Sequence, residues 1–134
     1  MALVDRTVAS LRFFGDYLDP DELTDLLDGQ PTFGIKKGGT WLTNRGNEKI
    51  AGNGSWRLNV ASRTNGDLDG QIVELLSALS HDLVVWRSLA ARFKADIFCG
   101  LFLQCGNEGV DLQPATLSMI GERGLTLSLD IYRL

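Results

Sequence analysis

The stretch LDPDEL (residues 18–23) is echoed by LQPATL (residues 112–117), and the fold turns on how these two are read. Each follows an alternating apolar run, and each carries a proline two positions after its first leucine. In the first, Asp19 stands before Pro20, and proline is favoured at the first helical position because its missing N–H had no partner there. Asp19 is placed to cap the free amides, while Asp21 and Glu22 complement the positive end of the helix dipole. Leu23, Leu26 and Leu27 supply an apolar stripe, and Asp28-Gly29 followed by Pro31 ends it. The four carboxylates crowded into FFGDYLDPDEL (residues 13–23) therefore read as a helix start, with Asp16 in the turn before it.

On either side of these helix starts the chain alternates. Ala9, Leu11 and Phe13 interleave with Ser10, Arg12 and Phe14, so a first strand is expected over about 4–14. A short strand is expected near 32–36 and another over 55–62, where Trp56, Leu58 and Val60 alternate with Arg57, Asn59 and Ala61. Between them lies a glycine-rich loop at about 36–54, a length that is uncommon without function. Residues 69–93 carry apolar positions at helical spacing, with a break expected at Ser80-His81-Asp82. ADIFCGLFLQC (residues 95–105) is the most apolar strand, with Ile97, Cys99, Leu101, Leu103 and Cys105 on one face. A turn is expected at Asn107-Glu108-Gly109 and a helix from Pro114 to about Ile120. The last strand turns Leu125, Leu127, Leu129 and Ile131 inward.

Two strand–helix–strand units around a central helix make a single α+β domain over residues 1–134. The arrangement expected is a ferredoxin-like sandwich, a mostly antiparallel sheet with its helices packed on one face. The other face is then open. It displays Ser10, Arg12, Arg57, Asn59, Phe98, Phe102, Gln104, Thr126, Ser128 and Asp130.

Composition narrows the function. The net charge of −4 hides an asymmetry: residues 1–30 sum to −5, residues 31–63 to +5 and the rest to −4. A local basic patch is expected in the middle segment, while the acidic whole argues against broad nucleic-acid binding. No apolar run approaches the ~20 residues needed to span a bilayer, and the N-terminus lacks the pattern of a secretory signal. With two cysteines there is no disulfide framework, so a cytoplasmic setting is expected.

The candidate chemical motifs fall short of their requirements. NGDLDG (residues 65–70) resembles the start of a calcium loop, but the twelfth position is Leu76, where a bidentate Glu is needed. Cys99 and Cys105 lie roughly 18 Å or more apart if the strand is extended. They are expected to be buried thiols, and no metal or cofactor is expected. Ser80-His81-Asp82 has the letters of a catalytic triad, yet adjacent side chains diverge. The glycine-rich loop matches neither phosphate-binding spacing.

GDYLDPDELTDLL, the following QPT, Lys37-Gly38, Trp56, and the closing ADIFCG and LTLSLDIY together resemble a family of small bacterial proteins, domain-of-unknown-function family 4279. The resemblance covers roughly residues 7–132 and implies a bacterial, single-domain protein without implying an activity.

The function expected is that of a non-enzymatic interaction domain, of immunity or regulatory type, engaging a protein partner. Its candidate surface is Arg12, Arg57, Asn59, Phe98, Phe102 and Asp130 on the open face, with Lys36 and Lys37 on the loop. Arginine and aromatic residues together are the composition of binding hot spots. The alternative is a small enzyme with a site between loop and sheet, drawing on Asp16, Arg57, Asp96 or Asp130. RNA binding by stacking on Phe98 and Phe102 comes third. A homodimer fits an uncovered sheet, and no membrane association is expected.

Overall fold

The computed structural model describes residues 2–61, 63–64 and 66–133. Its strands are β1 (Ala2–Leu3), β2 (Arg6–Gly15), β3 (Phe33–Ile35), β4 (Thr40–Leu42), β5 (Glu48–Ile50), β6 (Gly54–Asn59), β7 (Arg63–Thr64), β8 (Lys94–Leu103), β9 (Glu108–Gly109) and β10 (Thr126–Arg133). Its helices among the described residues are α1 (Pro20–Leu27), α2 (Leu68–Ser77), α3 (Leu83–Arg92) and α4 (Pro114–Glu122).

The main sheet runs in the order β10–β8–β2–β6–β3, with β7 pairing beside the start of β2. Alternation along β2 buries Thr7, Ala9, Leu11 and Phe13 on one face. Ile97, Cys99 and Leu101 of β8 and Trp56 of β6 join them, and the helices close that face with Leu23, Leu27, Ile72, Leu75, Leu76, Trp86 and Leu89. The Phe13 ring stands between Trp56, edge-on at 6.0 Å, and Trp86 at 6.3 Å. A polar pin crosses this core. The Thr7 hydroxyl donates to Gln71 Oε1 at 2.6 Å, and Gln71 Nε2 donates to the carbonyls of Thr7 and Ala61 at 3.0 and 2.9 Å.

The class is α+β, as expected. The finer expectation is not confirmed, because the sheet is mixed: β8 and β10 run parallel, whereas β2 is antiparallel to β6, β7 and β8. Parallel neighbours need a crossover of a dozen residues or more, and the segment containing α4 provides it. That places β8 and β10 side by side, with no strand inserted between them.

The helix starts are as read. Asp19 is the N-cap of α1 and accepts from the Asp21 amide, with Pro20 opening the helix. Residue Asp28, rather than Gly29, takes the left-handed conformation that ends it, at φ 57°. The expected break in the long helical pattern falls between α2 and α3, where Asp82 caps α3 by accepting from Val84 N at 3.0 Å. Asp67 accepts from Gly70 N and Asp69 from Gln113 N, so both carboxylates of the calcium-like motif serve backbone amides. Asn65 of that motif and Ser62 of the strand expected over 55–62 lie outside the described residues.

Four expectations need correction. The glycine-rich stretch is not a plain loop but carries the hairpin β4–β5, paired Thr40 to Ile50, Trp41 to Lys49 and Leu42 to Glu48. The turn expected at residues 107–109 is partly strand, Glu108–Gly109 pairing in parallel with Ala2–Leu3. Cys105 is exposed, because β8 ends at Leu103 and the chain turns away from the core. Leu129 and Ile131 sit opposite buried Cys99 and Leu101, yet they are 51% and 58% exposed.

Candidate functional site

The helix-free face is ordered by register. One row crosses β10, β8, β2, β6 and β3 as Thr126, Asp96, Arg12, Arg57 and Phe33. Within it Arg12 grips Asp96 through two parallel bonds, Nε to Oδ1 at 2.9 Å and Nη2 to Oδ2 at 2.7 Å. The same guanidinium lies over the Phe98 ring at 4.2 Å and faces Phe14 at 5.2 Å. Arg12 thus stands between one carboxylate and one guanidinium, and its charge is taken by Asp96. Like charges directly opposite across strands repel. Arg57 has no carboxylate within ion-pairing distance among the described residues.

The far end of the face is also internally paired. Arg6 lies over Phe102 at 3.8 Å, Phe102 stacks on Tyr132 at 4.8 Å, and the Tyr132 hydroxyl donates to Asp130. That hydrogen bond pushes the Tyr132 phenol above its ordinary pKa. Phe98, Phe102, Arg12 and Asp130 therefore serve one another. Asn59 occupies the next row opposite Ser10, and its backbone N–H donates to Thr32 Oγ1.

The hairpin turns the Arg57 end into a cleft. Gly38 N donates to Ala51 O at 2.9 Å and Ala51 N to Gly39 O at 2.8 Å, closing the base. The tip closes with Gly46 N on Thr43 O, Gly46 holding φ 78°, a left-handed conformation that suits glycine. Trp41 then meets Phe33 edge-on at 5.9 Å. The cleft so enclosed measures about 540 Å³ and is lined by Phe33, Ile35, Trp41, Lys49 and Arg57, with Ile50, Asn53 and Ser55 among its other walls. A second hollow of about 440 Å³ shares Trp41 and Lys49 and adds Arg45. Along both, the lining residues include three cations and no carboxylate.

The expected site residues are thus divided. Arg57 lines the cleft. Lys36 and Lys37 do not: they lie at the hairpin base and pair with Asp19 at 3.6 Å and Asp16 at 3.5 Å. The carboxylates of the enzymatic alternative are not brought together either, since Asp16 faces Lys37, Asp96 is held by Arg12 and Asp130 by Tyr132. Sequence reading counts Arg45 and Lys49 only within the basic middle segment and does not single out Phe33 or Trp41. The signal was there in TWLTNRGNEKI (residues 40–50), two short runs around an Asn-Arg-Gly-Asn turn.

The thiols differ in kind. Burial first, and the neighbouring Asp96 charge second, push Cys99 from 9.0 up to about 12. His81 is exposed in the link between α2 and α3, where Ser80 and Asp82 are occupied with backbone amides.

No helix among the described residues is long and apolar enough to cross a membrane. The chain matches no curated protein and no solved structure. The family model described as Domain of unknown function (DUF4279) does match, over residues 5–134, and the chain belongs to that family.

Proposed function

We propose that the protein is a non-enzymatic binding domain that holds an acidic segment of a partner protein in the hairpin cleft. The observation that carries this reading is the charge row on the sheet. Asp96 neutralises Arg12, and Arg57 beside it has no such partner among the described residues, while it shares a cleft with Lys49, Phe33 and Trp41. A guanidinium offers a rigid fork to a carboxylate, and the two aromatic rings offer area to an apolar side chain. The segment that fits is therefore acidic, with an aromatic or large aliphatic residue near the acids. A regulatory or immunity-type role for the complex is the biological context we favour.

Trp56 and Trp86 are fully buried and Trp41 is 41% exposed, so indole fluorescence reports on the cleft. Titration with a synthetic peptide holding Glu-Phe-Glu repeats is expected to change that fluorescence, with an affinity that weakens as salt is raised. Arg57→Ala should weaken binding about tenfold, the scale of one charge-assisted hydrogen bond. A Lys-Phe-Lys peptide should not bind. Equal response to both peptides, or a response unaffected by Arg57→Ala, would sink the proposal. Tight, salt-sensitive binding of an RNA oligonucleotide in its place would move the assignment to nucleic acid.

A further inference from the structure

The sheet ends on the side away from the cleft at β10, whose outward N–H and C=O groups have no strand beside them among the described residues. Protein edges are usually blunted by brevity, proline, an inward charge or a bulge. The opposite edge, β3, is three residues long. β10 has eight residues, TLSLDIYR, with no proline and no glycine. Its helix-side face is also only partly covered: Leu127 packs partly buried against the core, but Leu129 and Ile131 are 51% and 58% exposed.

We infer that β10 pairs with β10 of a second copy of this chain, antiparallel, about a two-fold axis at Leu129. The argument is one of register. A two-fold axis normal to the sheet keeps the helix sides of both copies together, so opposed residues must share a face and the axis must pass beside a residue. The strand runs from Thr126 to Arg133, so pairing along its full length centres on residue 129 or 130. Centring on 130 sets the two Asp130 carboxylates against each other, which is destabilising. Centring on 129 sets Leu129 against its copy, Leu127 against Ile131, Ser128 against Asp130 and Thr126 against Tyr132. No like charges meet, and both exposed apolar side chains gain an apolar neighbour. The occupant the edge suits is itself, and the product is one continuous sheet with a cleft at each far end.

Sedimentation of the full chain across a concentration series tests this. The expected species is a dimer of the 14.7 kDa chain. Leu129→Lys and Leu129→Glu should each be monomeric while circular dichroism and melting remain native, because the site is half exposed. Mixing the two should restore the dimer, since the axis brings each lysine onto a glutamate. As a second readout, in a Cys105→Ser background, Leu129→Cys should cross-link to itself on oxidation. Ile131→Cys should cross-link only when mixed with Leu127→Cys. A wild-type chain that stays monomeric at every concentration overturns the inference. So does a dimer that survives both charge variants, or one whose Leu129→Cys form does not self-link. Because β10 and the cleft are at opposite edges, Arg57→Ala should leave the dimer intact, which separates this test from that of the binding role.

Discussion

Arg12 and Asp96 are the residue pair on which the helix-free face depends. The Asp96 side chain is only 5% exposed, and two charge-assisted bonds from a 21% exposed arginine compensate its desolvation. Arg12→Met leaves that carboxylate unpaired, and a loss of about 3 kcal/mol in chemical denaturation is expected. The double variant Arg12→Met, Asp96→Asn should recover much of it. The cysteines make a second residue-scale test. A thiol reagent should modify one cysteine per folded chain, the exposed Cys105, and both after denaturation. Cys99 also links stability to pH, with a definite sign. The folded state keeps its proton to about pH 12, whereas an unfolded thiol loses it near the ordinary value of 9.0. Above that value the folded state binds more protons, so this group's contribution to stability falls as pH rises, by at most about 1.4 kcal/mol per unit. Comparing wild type with Cys99→Ala from pH 8 to 10.5 isolates it: the variant should decline less steeply.

At the scale of elements, caps decide what periodicity leaves open. The apolar spacing of residues 69–93 is compatible with one long helix. The chain instead breaks after Ser77, Trp86 Nε1 donating back to Ser80 O at 2.7 Å while Asp82 caps the new helix. Asp82→Ala removes that acceptor and is expected to cost about 1 kcal/mol in thermal or urea unfolding. Helix α4 is built differently, with no side-chain cap at Gln113 and proline at its start. Its far end holds Arg123, 4% exposed, donating to Met119 O and lying over Trp86 at 5.3 Å. A cation suits the negative end of a helix, although burial lowers the pKa of this one and its Nε has no hydrogen-bond partner among the described residues. The hairpin β4–β5 is the opposite kind of element. None of its residues enters the core, and every residue of both strands is exposed.

The whole molecule is therefore two parts with separate duties, a core that folds and a hairpin that makes the cleft. Replacing residues 40–50 with a short glycine–serine link should leave cooperative melting within a few degrees of wild type while abolishing peptide binding. A collapse of the fold would show that the hairpin is structural. What was legible without coordinates was local: the Asp19-Pro20 start, the Asp82 cap and the alternation of β2 and β8. These depend on groups a few residues apart, whose geometry the backbone dictates wherever the segment lies. The open-face residues were legible for the same reason, since strand phase alone assigns Arg12, Arg57, Phe98 and Phe102 to one side. Their partners were not. That Arg12 is neutralised by Asp96, 84 positions away, and Arg57 is not, follows from strand order and register. The cleft between Trp41 and Arg57, and the uncovered edge at Leu129, likewise arise from elements that meet only once the chain is packed. Local chemistry determined the helices, the long strands and the faces of this protein; long-range packing alone decided which charges cancel and which do not.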